Sequence, residues 1–149
     1  MESNQRLAVI DRGLDLRANP ARSTSARLVK GKVFDYLKEQ AVTGGRFDLI
    51  ILDPPKFAPS RKDLKRASKG YFELNRMAIQ LLSERGILVS CSCSQQLAQE
   101  QFISLLNQAA ISAGRTMKII EVRTQAPDHT YVPSCPETRY LKCVISEIE

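Results

Sequence analysis

The sequence is poor in the residues that build metal sites and disulfide frameworks. Its 149 residues include no tryptophan, four cysteines and a single histidine, His129. No two cysteines have the C-x-x-C spacing of a zinc ribbon, so we expect no metal site. Cys91, Cys93, Cys135 and Cys143 are too few for a disulfide-stapled secreted domain, which predicts free thiols and a reducing, cytoplasmic location. No apolar run approaches the roughly 20 residues that cross a bilayer, so no membrane contact is expected.

Acidic residues are outnumbered by basic ones. The chain has 22 lysines and arginines against 16 aspartates and glutamates, which gives a formal net charge of +6. Such an excess favours a polyanionic partner such as nucleic acid. The length and the ordinary proportions of apolar and charged residues indicate one domain, residues 1–149.

Apolar runs bounded by turn residues alternate with amphipathic segments along the chain. We predict helices over residues 4–18, 33–42, 71–81 and 95–113. We predict strands over residues 26–29, 47–52, 87–92, 116–122 and 140–145. Alternating strands and helices are typical of a mostly parallel, doubly wound α/β sheet, and the last two strands, with no helix between them, should form an antiparallel pair. The unbroken apolar run at 47–52 is typical of a strand buried on both faces.

Two of the predicted strands end on residues that can carry chemistry. The strand at 47–52 runs into Asp53-Pro54-Pro55, and the strand at 87–92 runs into Cys93. Ligands of open α/β sheets bind at the carboxyl ends of the strands, so Asp53 and Cys93 share one cleft if their strands are neighbours. The prolines make a stiff, extended exit whose carbonyl groups, with the Asp53 carboxylate, can accept a hydrogen bond from a nucleobase amine. The alternative is that the motif only terminates a strand.

Three segments carry a resemblance to a known family. They are FDLIILDPPKF (47–57), KGYFELNRMAIQLLSERGILVSCSCS (69–94) and APDHTYVPSCPETRYLK (126–142). In this order they resemble the class I S-adenosylmethionine-dependent methyltransferases, and most closely the group that methylates C5 of a cytosine in large-subunit ribosomal RNA. The resemblance implies a Rossmann-like methyltransferase sheet, of which the chain would be the C-terminal part, with S-adenosylmethionine as cofactor and 23S ribosomal RNA as partner. Guanine N2 methyltransferases lack a cysteine in the second segment, so Cys93 discriminates.

The resemblance also assigns roles to side chains at the cleft. Cys93 would be the nucleophile, whose thiolate adds to C6 of cytosine so that C5 can attack the methyl group. By position, Asp53 would donate a proton or hydrogen bond to the ring as charge develops on it. The implied cofactor-binding residues are Glu2, Val33, Phe34, Asp53 and Pro54. The implied RNA-binding residues, most of them in a basic loop over 56–69, are Pro55, Lys56, Phe57, Arg61, Lys62, Lys65, Arg66 and Lys69.

The other cysteines and the histidine are interpreted as structural. Cys91, Cys135 and Cys143 are predicted to be small, buried apolar side chains. His129 is predicted to make a structural hydrogen bond. Lys56 is a candidate for the positive charge that favours a thiolate at Cys93.

The chain departs from the family pattern toward its N-terminus. No G-x-G motif occurs in the first half, and Lys32 stands where the family has an acidic residue that contacts adenine. The family's sheet order, 3-2-1-4-5-7-6, leaves a gap beside the strand at 47–52 if the first two strands are missing. Then the third strand moves across, or the open edge pairs with another molecule in a homo-oligomer, or the N-terminal part packs loosely. Two alternatives stay open: a non-catalytic RNA-binding remnant, and methylation of another atom such as guanine N2.

Overall fold

A computed structural model describes residues 6–9, 27–56 and 63–149 of the chain. The three helices are α1 (Val33–Thr43), α2 (Leu64–Leu81) and α3 (Gln99–Ser112). The strands are β1 (Arg6–Val9), β2 (Arg27–Lys30), β3 (Phe47–Leu52), β4 (Leu82–Ser92), β5 (Met117–Arg123) and β6 (Lys142–Ile148). A short 3-10 turn, Pro136–Thr138, lies between β5 and β6.

The main sheet has four strands in the order β3-β4-β6-β5. β3 and β4 are parallel, whereas β6 is antiparallel to both of its neighbours. β3, β4 and β5 therefore run in one direction and β6 alone is reversed. This confirms the predicted α/β sheet and its antiparallel final pair, and the order matches the 4-5-7-6 half of the family's sheet.

The three helices pack in one layer on one face of this sheet. A single core cluster joins apolar residues of all three helices to Ile50 and Leu52 of β3, Leu88 of β4 and Ile148 of β6. Side chains alternate along a strand, so the residues between them point to the opposite face. On that face Leu49 is 41% exposed and Ile51 is 46% exposed. The prediction that this strand is buried on both faces is wrong, because β3 is an edge strand and only its helix-facing side is covered within the described ranges.

β4 begins at Leu82, five residues earlier than predicted. The strand was predicted to open after Gly86, but residues 83–86 form an irregular stretch inside it, where Phe47 pairs with Leu82 and Leu49 already pairs with Ile87. The guanidinium of Arg115 holds this stretch by donating hydrogen bonds to the carbonyl groups of Leu82, Ser83 and Ile148, at 3.0 to 3.1 Å. These contacts join residues 32 to 33 positions apart in the chain, so a local sequence pattern does not reveal the irregularity.

β1 and β2 pair with each other in a separate two-stranded antiparallel sheet. The predicted helix over 4–18 is therefore wrong at residues 6–9; the rest of it lies outside the described residues. The prediction rested on the spacing of apolar residues over 4–18. At residues 6–9 that local preference is overridden by pairing with β2. β2 does not move across to pair with β3, which was one of the three expected solutions for the gap in the sheet.

Candidate functional site at the carboxyl ends of β3 and β4

Asp53 and Cys93 lie at the same end of the sheet and on the same face. Leu52 pairs with Ser90, so the next residue, Asp53, comes level with Cys91, and Cys91 and Cys93 point to the same side because they are two residues apart. Neighbouring strands are about 4.8 Å apart and two residues of a strand span about 6.6 Å, so one aromatic ring can reach both side chains. Asp53 is exposed, Cys93 is half-buried and Pro54 is buried. The structure thus brings together the two residues that the sequence placed in one cleft.

The electrostatic environment of Cys91 includes both Asp53 and Cys93. Burial raises the pKa of the Cys91 thiol above its ordinary value of 9.0, with further contributions from Cys143 and from the charges of Asp53 and Cys93. Cys143 is the direct cross-strand partner of Cys91 on β6. Cys91 is only 8% exposed, in agreement with its prediction as a small buried side chain. A buried, protonated thiol is a poor nucleophile. Cys93 is half-buried, so its thiol is the more accessible of the two.

The remaining cysteines and the histidine are more exposed than Cys91. Cys135 is exposed, and its thiol donates a hydrogen bond to Glu137 at 3.3 Å, so the prediction that it is buried is wrong. Cys143 is half-buried. His129 is exposed in the turn after β5, where its Nδ1 lies 3.3 Å from the Asp128 carboxylate.

The two serines on either side of Cys93 are fully buried and tied into a hydrogen-bond cluster. The hydroxyl of Ser92 donates to the hydroxyl of Tyr71 at 3.0 Å, and the hydroxyls of Tyr71 and Ser94 are 3.1 Å apart. The backbone N–H of Ser94 donates to the Ser92 hydroxyl at 3.3 Å. Tyr71 projects from α2 into this cluster from beneath the sheet. The backbone that carries Cys93 is therefore held on both sides.

Lys142 completes the cluster from β6. It is directly opposite Ser92 in the strand register, it is 8% exposed, and its ammonium donates to the Ser94 carbonyl at 2.7 Å. Burial lowers the pKa of Lys142; the charge of Cys93 acts to raise it, and that of Lys56 acts to lower it. Cys93, Lys56 and Lys142 are therefore within electrostatic reach of one another. Neither Tyr71 nor Lys142 is predicted as a site residue from the sequence; the available signal was a lysine within a predicted strand.

The predicted RNA-binding residues are only partly described. Pro55 and Lys56 are exposed immediately after Asp53. Lys65, Arg66 and Lys69 are exposed on the first turns of α2, so the predicted loop over 56–69 is wrong at its C-terminal end. α2 begins at Leu64, before the apolar stripe from which the helix over 71–81 was predicted. Arg66 forms a 2.9 Å ion pair with Asp63, three residues earlier. Phe57, Arg61 and Lys62 lie outside the described residues.

The predicted cofactor residues Val33 and Phe34 lie on the first turn of α1, which packs against α2. Phe34 is half-buried, next to Val33, which is 6% exposed and packs in the core. An aromatic side chain and an exposed carboxylate suit the adenine and the polar groups of a nucleoside cofactor. Lys32 is exposed at the start of α1, and Glu2 lies outside the described residues. No cluster of possible metal ligands is found among the residues that the structure covers.

The fold is that of a methyltransferase. A Streptococcus mutans structure, assigned as a SAM-dependent methyltransferase, superposes with a TM-score of 0.66 over 80% of this chain and 30% of that one, at 24% identity. A methyltransferase crystal structure complexed with SAH superposes with a TM-score of 0.67, also at 24% identity, over the same shares. At this identity the likeness establishes the fold only. No family model matches the chain. None of the helices within the described ranges is long and apolar enough to cross a membrane.

Sequence comparison identifies the relatives more narrowly. The chain is 43% identical over 122 residues to ribosomal RNA large subunit methyltransferase I of Tolumonas auensis. This alignment covers 82% of the chain and 31% of the relative. It is 38% identical over 140 residues to the Escherichia coli protein of the same name, covering 94% of the chain and 35% of the relative. The chain is thus related to the large-subunit ribosomal RNA methyltransferases, as predicted, and spans about a third of their length.

Proposed function

We propose that the chain is part of an S-adenosylmethionine-dependent methyltransferase that modifies C5 of a cytosine in large-subunit ribosomal RNA. The name of its relatives supports the methyl transfer and the RNA. The observation that carries the choice of atom is the placement of Cys93 and Asp53 on one face, at the carboxyl ends of two adjacent parallel strands. Methylation of an amino group needs no thiol, whereas C5 of cytosine, a weak nucleophile, does.

The chemistry assigns a separate role to each side chain. The Cys93 thiolate forms a bond to C6, and the electron pair of the C5–C6 double bond is displaced into the ring. In its protonated form, Asp53 stabilises that charge by donating a hydrogen bond to N3 at the pyrimidine edge. The cofactor supplies an electrophilic methyl group to C5. Transfer of the C5 proton to a water molecule then restores the double bond and expels the Cys93 thiolate. The described residues proposed to hold the cofactor are Val33, Phe34, Asp53 and Pro54.

RNA contact is proposed for the basic surface beside the cleft. The target base must leave its stack to reach Cys93, so the flanking phosphates need an anchor. Lys56, Lys65 and Lys69 are exposed and follow the Asp53 segment in the chain. Lysine and arginine side chains in such a position neutralise phosphates and release counterions. We also propose a cytoplasmic location, which suits the four free cysteines and a ribosomal RNA substrate.

The proposal is tested by incubating the protein with large-subunit ribosomal RNA and methyl-labelled S-adenosylmethionine, then digesting the RNA to nucleosides. The expected product is 5-methylcytidine, absent with Cys93→Ala. Label on the guanine amino group, unaffected by Cys93→Ala, would support guanine N2 methylation instead.

The second candidate function is the non-catalytic RNA-binding remnant. The specific observation in its favour is Lys32, an exposed cation at the start of α1 where the family has an acid. Titration calorimetry with S-adenosylmethionine separates the two functions. If the chain binds RNA but shows no heat of binding with S-adenosylmethionine, it is the non-catalytic remnant and the enzymatic function is refuted.

A further inference from the structure

We propose that Lys142 is a positioning residue for Cys93. Its ammonium fixes the backbone turn that carries the thiol, and its positive charge favours the thiolate form. This inference deepens the proposed function and rests on Cys93 being the nucleophile of that reaction.

The first observation is geometric. Lys142 stands opposite Ser92 in the β4–β6 register and reaches the Ser94 carbonyl at 2.7 Å, so it touches the residues on both sides of Cys93. Ser92 and Ser94 are each fully buried and bound to the Tyr71 hydroxyl. With three anchors on two flanking residues, the chain has little freedom to move the thiol away from the end of the sheet.

The second observation is the cost of this arrangement. An ammonium group taken out of water loses several kcal/mol of solvation, as a general order of magnitude. A neutral donor would satisfy a single carbonyl at less cost, and Lys142 has three N–H donors. One of them is donated to the Ser94 carbonyl. A buried cation within electrostatic reach of a half-buried cysteine is the arrangement expected where a negative charge forms during the reaction.

The titratable groups near Cys93 and its neighbours Cys91 and Ser92 come from several elements. Asp53 and Lys56 approach from the segment after β3, Cys91 from β4, Cys143 and Lys142 from β6, and the Tyr71 hydroxyl from α2. Asp53, when ionised, opposes a thiolate, and both lysines favour it. Lys56 is exposed, so water screens its charge, whereas Lys142 is buried and its interaction is stronger at equal distance.

The test uses alkylation of Cys93 by iodoacetamide, followed residue by residue with mass spectrometry between pH 6 and pH 10 under reducing conditions. Lys142→Met keeps the apolar stem and removes the charge. We expect the midpoint of the Cys93 rate profile to rise by about one pH unit, which is a rate about tenfold lower at pH 7. The plateau rate at high pH should also change, because the Ser94 carbonyl loses its anchor. Lys142→Arg should keep the midpoint, and Lys38→Met, on an exposed helix surface, is the matched control.

A purely structural role predicts a different pattern. Tyr71→Phe removes the hydroxyl anchor without changing charge, so it should alter the plateau rate of alkylation and leave the midpoint in place. If Lys142→Met behaves like Tyr71→Phe, with an unchanged midpoint, the charge half of the proposal is overturned. If neither variant changes any rate constant, the anchoring half is overturned as well.

A reciprocal measurement covers the case in which Lys142→Met does not fold. Cys93→Ser removes the thiolate, and the Lys142 ammonium, followed by NMR of labelled lysine, should then lose its proton at lower pH than in the unmodified protein. An unchanged Lys142 titration would overturn the coupling. Neither readout needs RNA or methyl transfer, so failure here with intact methylation at C5 contradicts Lys142 alone, and success here without methylation contradicts the proposed function alone.

Discussion

Asp53 and Cys93, 40 residues apart in the chain, face the same side of the sheet at the ends of two adjacent parallel strands. The parallel register determines this relationship, because a shift of one residue would turn one of the two side chains toward the helices. The parallel pairing of β3 with β4 therefore positions the groups proposed to act on one pyrimidine.

Arg115 is predicted to be a main support of that pairing. It donates to three carbonyl groups of β4 and β6, next to the irregular start of β4. Arg115→Met should lower the free energy of unfolding by about 2 to 4 kcal/mol, the usual range for losing charged hydrogen bonds to buried groups. Urea unfolding measures it. Arg46→Met, on an exposed side chain, should change stability by less than about 0.5 kcal/mol; equal effects in the two variants would refute the role of Arg115.

The buried Cys91 thiol should make stability depend on alkaline pH. Its pKa is raised in the fold, mainly by burial, so the unfolded chain ionises first as pH rises. The stabilising contribution is complete below the ordinary value of 9.0 and is lost above it, at up to about 1.4 kcal/mol per pH unit. Urea unfolding between pH 7 and pH 10.5 should show a shallower decline in Cys91→Ala than in the unmodified protein. Parallel declines would show that this thiol does not titrate as described.

The exposed edge and face of β3 are predicted to support self-association. Leu49 and Ile51 are nearly half exposed on an edge strand, which can pair with a second copy. Sedimentation velocity at increasing concentration should show an associating species, and Ile51→Lys should abolish it. Val42→Lys, at an 88% exposed site on α1, is the control and should leave the association intact. A chain that stays monomeric over the whole concentration range would remove this expectation.

The basic first turns of α2 should contribute to RNA affinity through charge alone. Lys65→Gln with Lys69→Gln should weaken RNA binding and reduce the slope of log affinity against log salt by about 1.4, or about 0.7 per phosphate contact to single-stranded RNA. Fluorescence anisotropy from 50 to 300 mM salt measures both quantities. Lys38→Gln, on α1, should leave both unchanged. A loss of affinity with no change in slope would argue against phosphate contacts at these positions.

Much of the main sheet is predictable from the sequence because its strands are apolar runs that end on turn residues. β3 was predicted at Phe47–Leu52 and is found there. The apolar stripe of α2 that includes Tyr71 and Leu74 is buried, as expected. The start of β4 was missed because the side chain that donates hydrogen bonds to its carbonyl groups, Arg115, lies in a distant segment. The strand at residues 6–9 was missed because its partner, β2, is about 20 residues further along the chain.

The site was only half predictable for a similar reason. Asp53 and Cys93 carry a visible signal, since each is a reactive side chain directly after an apolar strand. Tyr71 and Lys142 carry none of that kind: one belongs to a helical stripe and the other to an alternating strand. Their role follows from hydrogen bonds that join α2, β4 and β6, and such contacts depend on tertiary packing.

The central claim is covalent catalysis by Cys93, and trapping the enzyme on RNA tests it most directly. RNA that contains 5-fluorocytidine cannot lose a proton from C5 after methyl transfer, so the bond from sulfur to C6 should persist. With S-adenosylmethionine present, we predict that mass spectrometry finds the methylated nucleotide on the peptide that contains Cys93. The adduct should be retained in Cys91→Ala and lost in Cys93→Ala. An adduct on another cysteine, or full methylation of ordinary RNA by Cys93→Ala, would contradict the account.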